Sequence, residues 1–152
     1  MELIDFLDEE IVCTRLQKKT DREVIFWLGA LMKNAGYVDE AYAQAVWERE
    51  TVYPTGIENE GFNFAITHAS SDAIHKPGVG IAVLEEPVDF HRMDDPEKKT
   101  KVRIVLMLSI VDPNSQVKLL QKLMNRLQKT QLFEKLYACQ DSKSVIRALC
   151  EE

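Results

Sequence analysis

The hydrophobic period of this 152-residue chain changes twice, and that limits the folds open to it more than any single residue does. Val24, Trp27, Leu28, Leu31, Met32 and Ala35 recur at helical spacing. From Phe62 to Val111 the pattern is that of strands, and from Val117 to Leu149 it is helical again. The middle of the chain must therefore form a sheet, and the flanking helices must bury their apolar stripes against it. The expected architecture is α/β: a single domain over residues 1–152, with a mixed central β-sheet flanked by helices on both faces. The length agrees, since a domain takes about 150 residues.

The helix predicted over 21–35 carries its own end signals. Thr20 followed by Glu23 fits a capping box, and Gly36 suits a left-handed stop. A second helix is predicted from Asp39 as N-cap through Tyr42, Ala45 and Val46 to about Glu50, where Tyr53-Pro54-Thr55-Gly56 turns the chain. Phe62, Phe64 and Ile66 then alternate with Asn63, Ala65 and Thr67, a half-buried strand that stops before His68. The β-branched runs Gly78 to Leu84 and Lys101 to Val111 read as central strands, Val88 to Phe90 as a short one, and His91 to Lys101 as a surface loop. Pro113 opens a helix carrying Val117, Leu120, Leu123, Met124 and Leu127. A shorter one holds Leu132, Phe133, Leu136 and Tyr137, and Asp141 caps a last one with Val145, Ile146 and Leu149.

Composition narrows the function. Hydrophobic residues at 45% and charged residues at 29% place the chain among folded proteins with a real core. Acidic residues outnumber basic ones by 25 to 19, for a net charge of -6, which argues against a phosphate-backbone grip and so against nucleic acid as partner. The longest apolar run, Ile104 to Leu108, is far short of the roughly 18 residues that cross a bilayer, so no membrane insertion is expected. Met1-Glu2-Leu3-Ile4-Asp5 is acidic where a secretory signal is basic. Cys13, Cys139 and Cys150 are odd in number with no C-x-x-C pair, which suggests neither a disulfide framework nor a zinc knuckle. A reducing, cytoplasmic setting follows as the expectation.

Three histidines are available for chemistry near neutral pH. His68 follows the alternating strand and precedes Ala69-Ser70-Ser71-Asp72, small residues that leave room for a partner; its bland alternative is an idle loop histidine. His75 could join it as a metal ligand, but two histidines without a cysteine or carboxylate cluster fall short of a zinc set, and no metal or cofactor is expected. His91, beside Arg92 and Asp94-Asp95, reads as a solvated loop residue. Arg49 closes the second helix. Its guanidinium fork suits a phosphoryl group, although an arginine at a helix C-terminus is also favoured by the macrodipole. No phosphate-binding loop, dinucleotide turn or nucleophile elbow is present, and Ser70 or Ser71 beside His68 lacks an acid partner for a triad.

Taken in order, several short stretches carry a resemblance. They are Gly36-Tyr37-Val38, Arg49-Glu50, Tyr53-Pro54-Thr55-Gly56-Ile57, Ala65-Ile66-Thr67-His68, Lys76-Pro77, Ile81-Ala82-Val83-Leu84, Pro87-Val88-Asp89-Phe90, Met93, Val105-Leu106-Met107-Leu108, and Gln116 before Leu119-Leu120-Gln121-Lys122-Leu123-Met124. Over about residues 5–150 the chain resembles the sugar-specific IIA components of the bacterial phosphoenolpyruvate-dependent phosphotransferase system, in the fructose and mannitol superfamily and closest to the galactitol type. The resemblance implies a phosphocarrier. His68 would take a phosphoryl group from phosphohistidine on HPr and pass it to a cysteine on a cognate IIB component, with IIC in the membrane binding the sugar. Arg49 would stabilise the phosphoryl oxygens, and Gln116 would stand where mannitol-type members have a second histidine. Thr67 and Ser70 complete the expected pocket.

Thr67 replaces the family's proline, Asn63 a glycine, and Ala73 a histidine common in galactitol-type chains. Thr67 and Ala73 keep a second reading open: a regulatory or interaction module of the same fold, with little or no transport phosphotransfer. A metal-dependent or serine hydrolase using His68, His75 and Ser70 is the third.

Overall fold

In a computed structural model, which describes residues 2–151, the chain forms one five-stranded sheet with helices against both faces. The strands are β1 (Val12–Leu16), β2 (Gly56–Ile57), β3 (Phe64–Thr67), β4 (Gly78–His91) and β5 (Lys99–Ser109). Their order across the sheet is β1-β4-β5-β3-β2. The sheet is mixed: β1 lies parallel to β4 and β3 parallel to β5, whereas β4 with β5 and β2 with β3 are antiparallel.

Alternation along the strands builds two cores. Phe64, Ile66, Val79, Ile81, Ile104 and Leu106 face α3 (Pro113–Leu127), α4 (Thr130–Ala138) and α5 (Ser142–Cys150). Ala65, Ala82, Leu84, Val105 and Met107 face α1 (Asp21–Asn34) and α2 (Ala41–Val52). Small residues on the second face let those two helices come close, and each strand buries alternate side chains on opposite sides.

The end signals of α1 appear as read. Thr20 Oγ1 accepts the Glu23 N–H at 3.2 Å, and Gly36 takes the left-handed turn at φ +86. Asp39 Oδ1 accepts the Ala41 N–H just ahead of α2, but the N-cap position is Glu40, one residue later than expected, and the helix continues to Val52, past the expected Glu50.

The strand reading needs four corrections. The strand expected from Phe62 spans Phe64–Thr67 and is buried on both faces, not half-buried. The segments at 78–84 and 88–90 are one strand, β4, whose register shifts between Val83 and Val88 while Glu85, Glu86 and Pro87 stay exposed. The loop expected over 91–101 shrinks to the connection between β4 and β5, because His91 pairs with Lys99 and Phe90 with Thr100. The edge strands β1 and β2 are additions to the reading. Among the described residues no helix is long and apolar enough to cross a membrane.

Candidate functional site

His68 leaves the C-terminal end of β3 and is half-buried. Its Nδ1 lies 3.1 Å from the Ile66 carbonyl oxygen. A carbonyl can only accept, so Nδ1 carries the proton and Nε2 keeps its lone pair. Among the described residues nothing hydrogen-bonds Nε2. Burial, and after it the Arg49 charge, push the imidazole below its usual pKa, while the bond to Ile66 pulls it up. The ring is therefore neutral at pH 7, with one nitrogen tethered and the other open.

Tyr42 fixes the chain around this ring. Fully buried on α2, its hydroxyl donates to the Leu108 carbonyl of β5 and accepts the Ala69 N–H at 3.2 Å. One phenol thus joins α2, the end of β5 and the residue after His68. Burial pushes its pKa up to about 12, so it stays protonated and able to donate.

Arg49 lies seven residues beyond Tyr42, two turns along the same face of α2. Its Nη1 reaches the Tyr53 carbonyl at 3.5 Å, and its guanidinium stands over the Tyr53 ring at 5.5 Å. Among the described residues no carboxylate closes an ion pair with it. The turn after α2 leads into β2, which pairs antiparallel with β3, Gly56 opposite Ala65. Gly56 is required here, since a Cβ would meet the His91 carbonyl oxygen at 2.5 Å.

Of the other expected pocket residues, Thr67 is fully buried and its hydroxyl donates to the Leu106 carbonyl at 2.8 Å. Its donor is therefore spent on the neighbouring strand. Ser70 is exposed next to the site. Gln116 is half-exposed in the first turn of α3. That helix follows the end of β5 nearest His68, because β3 and β5 run parallel.

Asn63 holds the approach to the site. Its side chain accepts the Asn59 N–H and donates to the Lys101 carbonyl, so it ties the turn before β3 to β5. His75 is exposed and pairs with Asp39 at 3.7 Å, while His91 contacts the Pro96 carbonyl through Nδ1. Among the described residues no cluster of ligating side chains could hold a metal ion. Ala73 is buried in the core on the α1 and α2 side.

Exposed apolar residues border this end of the sheet. Val52 and Tyr53 stand out where α2 stops, and Val111 and Val117 where α3 begins. An apolar rim around one charged side chain and one open nitrogen suits contact with another protein more than a small-molecule cleft. Sequence reasoning did not single out Tyr42 or Glu50, because a buried phenol and an acid beside an arginine look ordinary until the fold shows what they hold.

A family described as phosphoenolpyruvate-dependent sugar phosphotransferase system, EIIA 2, matches residues 5–152. The fructose-specific EIIA component of Haloferax volcanii is 31% identical over 144 residues, covering 93% of this chain and 90% of that protein. The galactitol-specific EIIA component of Escherichia coli K12 is 34% identical over 116 residues, 75% of each. Among solved structures, the complex of enzyme IIAMTL and phosphorylated enzyme IIBMTL from Escherichia coli superposes with a TM-score of 0.77 at 24% identity, covering 94% of this chain and 96% of that one.

Proposed function

The chain belongs to the phosphoenolpyruvate-dependent sugar phosphotransferase system EIIA 2 family, whose members are phosphotransferases, and from that premise we propose that His68 is its phosphoryl carrier. The observation that carries the proposal is the tethered ring: Nδ1–H bound to the Ile66 carbonyl leaves Nε2 as the nucleophile. In the first step the Nε2 lone pair forms a bond to phosphorus as the N–P bond of phosphohistidine on HPr breaks, and the donor ring leaves with that electron pair. In the second, a cysteine thiolate of a IIB component forms the S–P bond and the Nε2–P bond breaks. A neutral ring is ready for the first step without losing a proton.

Transfer between nitrogen and sulfur needs little covalent help from the protein beyond alignment and charge. Arg49 supplies the charge: among the described residues no carboxylate forms an ion pair with it, and its donors other than the one that reaches the Tyr53 carbonyl would serve the phosphoryl oxygens. Gln116 offers an amide from the first turn of α3. The apolar rim is the surface on which HPr and IIB would dock, and IIC in the membrane would bind the sugar. The cytoplasm is the compartment where these partners meet. Of the two relatives the galactitol-specific one is the more identical, which supports a galactitol-type system.

Incubation with phosphoenolpyruvate, enzyme I and HPr tests the reading. Acid-labile phosphate on the wild type and none on His68→Ala is the expected result; no label on either overturns it and favours a regulatory module. Labelled protein offered to galactitol-type and fructose-type IIB separates the two substrate classes.

A further inference from the structure

The Arg49 guanidinium makes a hydrogen bond and a ring contact with Tyr53, and Tyr53 sits in a turn closed by the acid next to Arg49 in sequence. Glu50 is 5% exposed. Its Oε2 accepts the Thr55 N–H at 2.8 Å and its Oε1 accepts the Thr55 hydroxyl at 2.9 Å. Thr55 leads directly into β2, and β2 pairs with the strand that ends at His68. A continuous set of bonds therefore runs from α2 through Glu50 and Thr55 to β2 and β3.

We propose that Glu50 is a positioning residue for phosphoryl transfer: its two-pronged hold on Thr55 closes the turn at Tyr53 and Pro54 after α2 and so sets where the Arg49 guanidinium stands beside His68. The proposal rests on the role given to Arg49 above.

Stability alone does not account for this carboxyl. A negative charge in the last turn of α2 opposes the helix dipole, and taking it out of water is costly. Burial pushes its pKa up to about 7, and the two Thr55 bonds and the Arg49 charge offset this only in part. Asp21 on α1 adds to the rise, and His91 on β4 lines the same cavity of about 320 Å3 beside Trp47 and Pro54. An amide or an apolar group would be cheaper for folding. What the carboxylate supplies is two acceptors in a fixed plane, which hold both the N–H and the hydroxyl of one residue.

The test reads where the guanidinium is through the His68 imidazole, titrated by NMR, alongside the single-turnover rate of transfer from phospho-HPr. Arg49→Ala should raise the His68 pKa, because a neighbouring positive charge is lost. Glu50→Ala should raise it as well if the guanidinium moves away, whereas removing a carboxyl that is itself largely protonated where His68 titrates, and nothing more, would leave it unchanged or slightly lower. Thr55→Val, which changes no charge, should also raise it, and Thr55→Ser should restore the wild-type value.

Glu50→Ala and Arg49→Ala should each slow transfer about tenfold to a hundredfold, as expected for misplacing a group on the order of 1 Å. The double variant should be no slower than Arg49→Ala. An unchanged or lowered His68 pKa in Glu50→Ala, or rate losses that multiply in the double variant, overturns the proposal. If Glu50→Ala does not fold, Thr55→Val decides alone, and wild-type pKa and rate there overturn it. An unimpaired Arg49→Ala removes the role of Arg49 and this proposal together; a slow Arg49→Ala beside an unimpaired Thr55→Val removes this one only.

Discussion

Replacing Tyr42 by Phe removes one oxygen from the centre of the molecule and keeps the ring. Its Ala69 N–H partner loses its acceptor, and the Leu108 carbonyl loses a donor, in a place where no water can replace either. An orphaned buried N–H costs about 1–3 kcal/mol and a lost neutral hydrogen bond about 1 kcal/mol, so the expected loss is about 3 kcal/mol. For a chain of this length each kcal/mol lowers the midpoint by roughly 2–4 °C, which gives a drop of roughly 6–12 °C. Urea unfolding gives the free energy, and calorimetry the midpoint. Because Ala69 follows His68, the transfer rate should fall too. A Tyr42→Phe protein within about 0.5 kcal/mol of wild type, the range of a surface change, would refute the claim that this phenol fastens α2 to the His68 loop.

Other outcomes follow from the buried ionisable groups and from close packing. The folded Glu50 carboxyl, at about 7 against the ordinary 4.5, holds a proton that the unfolded chain releases, so wild-type stability falls as pH rises through that window. Glu50→Gln should therefore gain on the order of 3 kcal/mol relative to wild type between pH 4 and pH 8, read by urea unfolding at both. His68 has the opposite sign: its pKa is lowered, so below about pH 6.5 the unfolded chain binds a proton that the folded chain resists, and stability falls with acid. His68→Ala should flatten that part of the curve; an unchanged slope would contradict a lowered pKa. Gly29→Ala should cost more than Gly80→Ala, because the new Cβ lies 2.6 Å from Ala43 Cβ and 3.3 Å from its Cα at the α1–α2 contact. At Gly80 the nearest atom is the movable Met32 Sδ, at 2.7 Å. Overpacking of about 1–3 kcal/mol should exceed the roughly 1 kcal/mol of helix propensity gained at Gly29, and thermal melts of the two variants rank them.

What could be read from the sequence followed the strength of local signals. Thr20, Glu23 and Gly36 bracket α1 because capping depends on nearest neighbours alone. β1 escaped because Val-Cys-Thr-Arg-Leu has no clean alternation: Arg15 takes φ +55, and the register breaks between Cys13 and Leu16. The two residues of β2 are too short to form a pattern. β4 read as two pieces since Glu85, Glu86 and Pro87 interrupt the apolar run where the strand projects beyond its cover. At the site, residue types pointed to His68 and Arg49, but their juxtaposition depends on Tyr42 and on the pairing of β2 with β3, which are long-range facts. The Thr67 hydroxyl had no visible destination until β5 lay beside it.

The bond from Nδ1 to Ile66 has an outcome for the order of events as well as for reactivity. If His68 carries the phosphoryl group as proposed, a ring tied at one nitrogen would not receive on one side and deliver on the other, so the incoming and outgoing proteins would use a single doorway in turn. A compound or antibody that covers that doorway should stop arrival and departure alike.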